Sequence, residues 1–323
     1  MRARHRQHER NARRSPGSPL RRCARRRWLL WLLIAVLALL PAPVSAHSGS
    51  TFGGGIIGPW IINPVVWLGL MLVGTAYFYA TGAIEVHEPD AVGPHQLWYF
   101  LGGLGVVFVA LTSPIDYYAD NAFWVHMIQH LLLMIVAPPL LLVGTPAALL
   151  RPLTHRPALL RLLRVFVNPG MAWLLSTSVF LLWHVPTLYD AAVLDAKVHA
   201  LEHLSFLLSA LLFWWTIYSP LPALPPLSRA NQVLYLALSC QPNVILGAVL
   251  VFAPHAFYGV YGGALRLGNI NPLTDQQIGG AIMWVPGNVA YLGILTKIFF
   301  NWFNEHEAAQ AGTPGTATAR RES

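Results

Sequence analysis

FWVHMIQHLLLMIVAPPLLLVGTP, residues 123 to 146, decides the fold. It holds no Asp, Glu, Lys or Arg over a length that crosses a bilayer as a helix, since ~30 Å of hydrocarbon needs about 20 residues. Period-two alternation is absent, so a strand is excluded. Pro138 and Pro139 each withhold an N–H and crowd the carbonyl four residues back, which predicts a bent helix rather than two separate elements. Its two histidines, His126 and His130, stand four apart and so share one helix face.

Working outward, six further apolar segments lie at roughly 62 to 82, 96 to 112, 170 to 185, 200 to 218, 231 to 253 and 278 to 301. Pro242 predicts a second bend. With 55% hydrophobic and 11% charged residues in 323, the chain reads as an all-α membrane protein of seven transmembrane helices. They follow an N-terminal arginine-rich segment.

The net charge of +8 does not indicate nucleic acid, because eleven of the twenty-one basic residues lie between Arg2 and Arg27. From residue 47 onward ten Lys and Arg face twelve Asp and Glu, a net of minus two. The basic head is followed by Trp28 to Leu40 and by Val44-Ser45-Ala46, small-residue spacing that reads as a signal sequence or an uncleaved signal anchor. The expected organisation is therefore 1–46 head and signal-like segment, 47–303 membrane domain, and 304–323 a disordered polar cytoplasmic tail. With only Cys23 and Cys240, a disulfide framework is excluded.

Lys and Arg are retained on the cytoplasmic side of short loops. Arg151, Arg156, Arg161, Arg164 and Arg229, with Arg320 and Arg321, fall on one side, against Lys197 and Arg266 on the other. The expected topology is N-terminus outside, C-terminus cytoplasmic. His126, His130, His184, His199 and His203 then converge on the outer side, joined by His255 and His47. His87, His95 and His155 fall on the cytoplasmic side as ordinary loop residues.

A single histidine in a span commonly bonds a carbonyl or hydroxyl of a neighbouring helix. Two i,i+4 pairs and a fifth histidine at one depth point instead to a metal or haem site, because ionisable groups in spans are costly. Imidazole suits copper, zinc, iron and nickel; thioethers of Met127, Met134 or Met283 would favour Cu(I). Bis-histidine haem ligation, as in an electron carrier, is an alternative. His199-Ala-Leu-Glu202-His203 also fits the HxxEH pattern of inverted zinc peptidases, in which Glu202 would activate a metal-bound water; the same carboxylate could orient an imidazole. The outer acids Asp116, Asp120, Asp190, Asp195 and Asp275 read either as a cation-attracting vestibule or as solvated loop faces. Gly102, Gly103 and Gly105 suggest close helix packing.

The blocks at 123 to 146, LLWHVPTLYDAAV at 181 to 193 and HALEHLSFLLSALLFWW at 199 to 215 resemble the multi-spanning CtaG family of assembly factors for caa-type cytochrome c oxidase. The resemblance covers about 60 to 303 and falls on His126, His130, Trp183, His184, Pro186, Tyr189, His199 and His203. It implies a plasma-membrane protein without enzymatic activity that matures the oxidase, with subunit II and its copper centre as recipient. Copper at the five histidines is the expectation that follows. A zinc-dependent membrane hydrolase and a haem carrier stand as alternatives.

Overall fold

The computed structural model describes residues 50–52, 59–262 and 270–311. The arginine-rich head, the signal-like segment, His47, Arg266 and residues 312 to 323 of the expected tail lie outside the described residues, while residues 304 to 311, expected to be disordered, continue the last helix. Strands β1 (Ser50–Phe52) and β2 (Trp60–Ile62) pair antiparallel, with Thr51 opposite Ile61. Among the described residues, every element after them is a helix: α1 (Pro64–His87), α2 (Pro94–Thr112), α3 (Pro114–Ala119), α4 (Phe123–Val143), α5 (Ala147–Thr154), α6 (Pro157–Phe166), α7 (Pro169–Trp183), α8 (Pro186–Leu194), α9 (Ala196–Tyr218), α10 (Arg229–Val251), a 3-10 turn at Gly259–Gly262, and α11 (Pro272–Ala311).

Six of these helices are long and apolar enough to cross a membrane: α1, α2, α4, α9, α10 and α11. The chain is a multi-pass, all-α membrane protein. The seventh expected span, 170 to 185, is a broken one. Helix α7 has 15 residues, a rise of about 22 Å that falls short of ~30 Å alone, and it meets α6 at a bend of 63°. The break has a local cause. Pro169 disfavours helical backbone at Asn168, and the Asn168 side chain caps the new helix by accepting from the Gly170 and Met171 amides at 3.1 and 3.4 Å.

Burial separates an inner pair from the rest: 56% of the span window of α4 and 44% of that of α9 are inside the protein, against 17 to 28% for the other four long helices. The inner pair carries the conspicuous histidines.

Helix α4 runs through Pro138 and Pro139 as one span, and the prolines leave their mark on its hydrogen bonds. Its middle turn, Leu132–Val136, is a π-helix, and the Ala137 amide reaches back to the Leu132 carbonyl. Pro138 has no N–H for the Met134 carbonyl, which accepts instead from the Trp214 indole of α9 at 2.8 Å. Pro242 lies within a continuous α10. Of the three glycines of α2, Gly103 packs against Leu141, while Gly102 and Gly105 have open space beside them. Packing therefore explains only the first.

Candidate metal centre

Three helix termini bring the histidines together, and each is fixed by a named contact. Helix α9 starts because the Asp195 carboxylate accepts from the Lys197 and Val198 amides at 2.7 and 3.2 Å, which places His199, Glu202 and His203 in its opening turns. Helix α4 starts at Ala122, which has no side-chain cap of its own. The Asp275 carboxylate of α11 supplies it from across the bundle, accepting from the Phe123 and Trp124 amides at 2.9 and 3.0 Å. His184 is the C-terminal cap of α7, and its Nδ1–H donates to the Phe180 carbonyl at 2.7 Å. That hydrogen bond leaves the lone pair on Nε2.

All five histidines expected to converge do so, each less than a tenth exposed. Ring centroids are 4.3 Å apart for His126 and His130, 4.2 Å for His199 and His203, and 5.1 Å for His126 and His199. His184 is the outlying member, 6.2 Å from the His130 ring. The tightest convergence is not of five imidazoles. Donor atoms of His126, His199, Glu202 and His203 all lie within 4.8 Å of one another, while His130 and His184 flank this group.

Glu202, with no exposed surface, is the residue that imidazole spacing alone does not predict. Its two oxygens stand 3.6 Å from the Nε2 atoms of His126 and His130. The signal for it was present in HALEH, because positions 199, 202 and 203 share one helix face. Both its oxygens, and the Nε2 atoms of His126, His130, His184 and His203, are buried without a hydrogen-bond partner. Burying such groups unpaired costs several kcal/mol in total by any scale, at roughly 1 to 3 kcal/mol for each group. A cation among them would offset these costs with coordination bonds, so the donor set fits a metal ion.

A second layer orients the first. The Tyr261 hydroxyl donates to the Ala119 carbonyl at 3.0 Å and accepts from the Tyr189 hydroxyl at 2.8 Å. Its remaining lone pair faces His126 Nδ1 at 3.4 Å, so Nδ1 carries the proton and Nε2 is free to ligate. Tyr261 comes from the Gly259–Gly262 turn, held by the Asp190 carboxylate, which accepts from the Gly259 and Val260 amides at 3.2 and 3.4 Å. No local pattern foretells this contact, which spans 135 residues.

Four of the five acids expected on the histidine side have structural partners: Asp190, Asp195 and Asp275 accept from backbone amides, and Asp116 accepts from the Gln129 amide nitrogen at 2.6 Å. Burial, reinforced by the neighbouring Asp120 charge, pushes the Asp116 carboxyl up to about 8, against a lowering contribution from Gln129. His255 is an exposed loop residue stacked edgewise on Phe257, outside the cluster. His87, His95 and His155 are exposed, away from it.

The model of the cytochrome c oxidase caa3 assembly factor family (Caa3_CtaG) matches residues 75–305, which hold the histidines, Glu202, Tyr261 and Asp275. The chain belongs to this family. An uncharacterized protein of Mycobacterium leprae (strain TN) is 23% identical over 266 residues, covering 75% of this chain and 39% of that protein. The chain therefore spans well under half the length of this relative. No solved structure matches the chain.

Proposed function

We propose that this protein is an assembly factor of caa3-type cytochrome c oxidase that holds copper at the histidine and glutamate centre and delivers it to the oxidase copper centre, with subunit II as the recipient. It acts without catalysing a reaction of its own. The observation that carries the reading is the set of buried His126, His130, Glu202 and His203 donor atoms that lack a hydrogen bond, in a member of the oxidase assembly family. In the plasma membrane the arginine-bearing ends of the helices face the cytoplasm and the centre faces outward, where a maturing copper site in subunit II is accessible. Imidazole rings packed 4.2 to 6.2 Å apart around Glu202 suit a compact ion.

Cells lacking the protein, grown at limiting copper, are complemented with the wild type or with His126, His130, His184, His199 and His203 all replaced by Ala. The expected result is loss of caa3-type oxidase activity and of copper in isolated subunit II for the variant only. Full oxidase activity with a stably expressed variant would contradict the proposal. A zinc hydrolase built on HxxEH predicts instead that Glu202→Gln abolishes a hydrolytic activity while leaving the oxidase intact.

A further inference from the structure

A cavity adjoins the histidine centre, and its lining differs in chemistry from the centre itself. Met127, His130 and Met134 of α4, His184 at the end of α7, and Met283 of α11 line it together with Asn243 of α10. His130 and His184 are the two histidines that stand outside the converging group with Glu202. They are 4% and 6% exposed, so each is more than nine-tenths buried. Both ring nitrogens of His130 and Nε2 of His184 lack a hydrogen-bond partner. Among the lining residues there is no carboxylate.

We infer from this lining, on the metal-handling reading above, that the cavity is a second metal site, selective for Cu(I), with His130 and His184 imidazoles and methionine thioethers as its donors. Two physical reasons separate it from its neighbour. The His126, His199, Glu202 and His203 group includes an ionisable carboxylate and so compensates part of the charge of a divalent ion. The cavity offers only neutral donors, with the hydroxyls of Ser176, Thr177, Ser239 and Tyr291 also in its lining, and there a monovalent ion is the less costly guest. Thioether sulfur is a soft ligand that prefers Cu(I) to Zn(II) or to harder dications. His130 joins the two sites, since it lines the cavity while its Nε2 is 3.6 Å from Glu202 Oε1.

The full chain in detergent, loaded anaerobically with Cu(I) and separately with Co(II), tests this. Copper K-edge absorption of the wild type is expected to show sulfur as well as nitrogen scatterers. The Met127→Leu, Met134→Leu, Met283→Leu variant, nearly volume-conserving, is expected to lose the sulfur contribution while its Co(II) absorption spectrum stays that of the wild type. Glu202→Gln is expected to do the reverse, losing Co(II) and keeping sulfur-ligated Cu(I). Nitrogen-only Cu(I) coordination in the wild type would overturn the second site and leave the histidine centre standing, without relying on any variant folding. Failure of the wild type to bind either ion would overturn the metal-handling reading itself.

Discussion

The two ends of the helix bundle handle charge in opposite ways. At the arginine end, Arg151 meets Glu88 at 2.6 and 2.7 Å, with the two side chains 54% and 50% exposed, and Arg229 meets Glu305 at 3.8 Å. At the histidine end, Glu202 and its imidazole neighbours are buried, and polar groups reach partners on other helices. Water screens the first set and makes it dispensable, while the second set lies where an unmet donor or acceptor is expensive. Short distances alone do not identify the functional end; burial does.

Asp275→Ala is the variant expected to disturb this contrast most. Among the described residues it removes the one acceptor of the Phe123 and Trp124 amides at the start of α4, so thermal unfolding in detergent should show a loss of about 2 kcal/mol, the upper end for a lost cap. An unchanged melting temperature would mean that water serves the α4 terminus equally well. Tyr261→Phe is milder. It deletes the oxygen that faces His126 Nδ1, and metal affinity by competition titration should fall about tenfold, the lower end for an outer partner of a ligand.

Asp116 gives a pH signature to the histidine end. Its folded value of about 8 lies above the ordinary 3.8, so between these values the folded chain keeps a proton that the unfolded chain has released. This contribution to stability is full at the acid end and declines as pH rises through that window. Asp116→Asn should flatten the dependence seen in melting temperature against pH; an identical slope in the variant would assign it to other groups. The smallest effect is expected at the arginine end. Arg151→Ala breaks an exposed pair and should cost less than about 1 kcal/mol, whereas a larger loss would erase the contrast between the ends.

The parts legible in the sequence are those with a short period. Apolar runs of helical length give the spans, and i,i+4 spacing gives the paired histidines of α4 and α9. That Pro138 frees a carbonyl of α4 was readable, but the π turn and the Trp214 indole that takes the orphaned Met134 carbonyl were not, because the partner lies 80 residues away. The broken span at Asn168-Pro169 was hidden by apolar residues on both sides of the break. Glu202 was visible as a residue of HALEH yet ambiguous in role until His126 and His130 of the other inner helix were seen beside its oxygens. Asp275 and Tyr261 act entirely through tertiary contact, which no window of sequence contains.

The central claim is that the buried donors of α4 and α9 hold metal, and elemental analysis tests it most directly. The full chain is purified from copper-supplemented cells beside a Glu202→Gln, His126→Ala variant of the same elution profile. The account predicts copper retained by the wild type and reduced in the variant to the share that the neighbouring methionine-lined cavity holds. Equal copper in both, or none in the wild type even after anaerobic reloading, would contradict it.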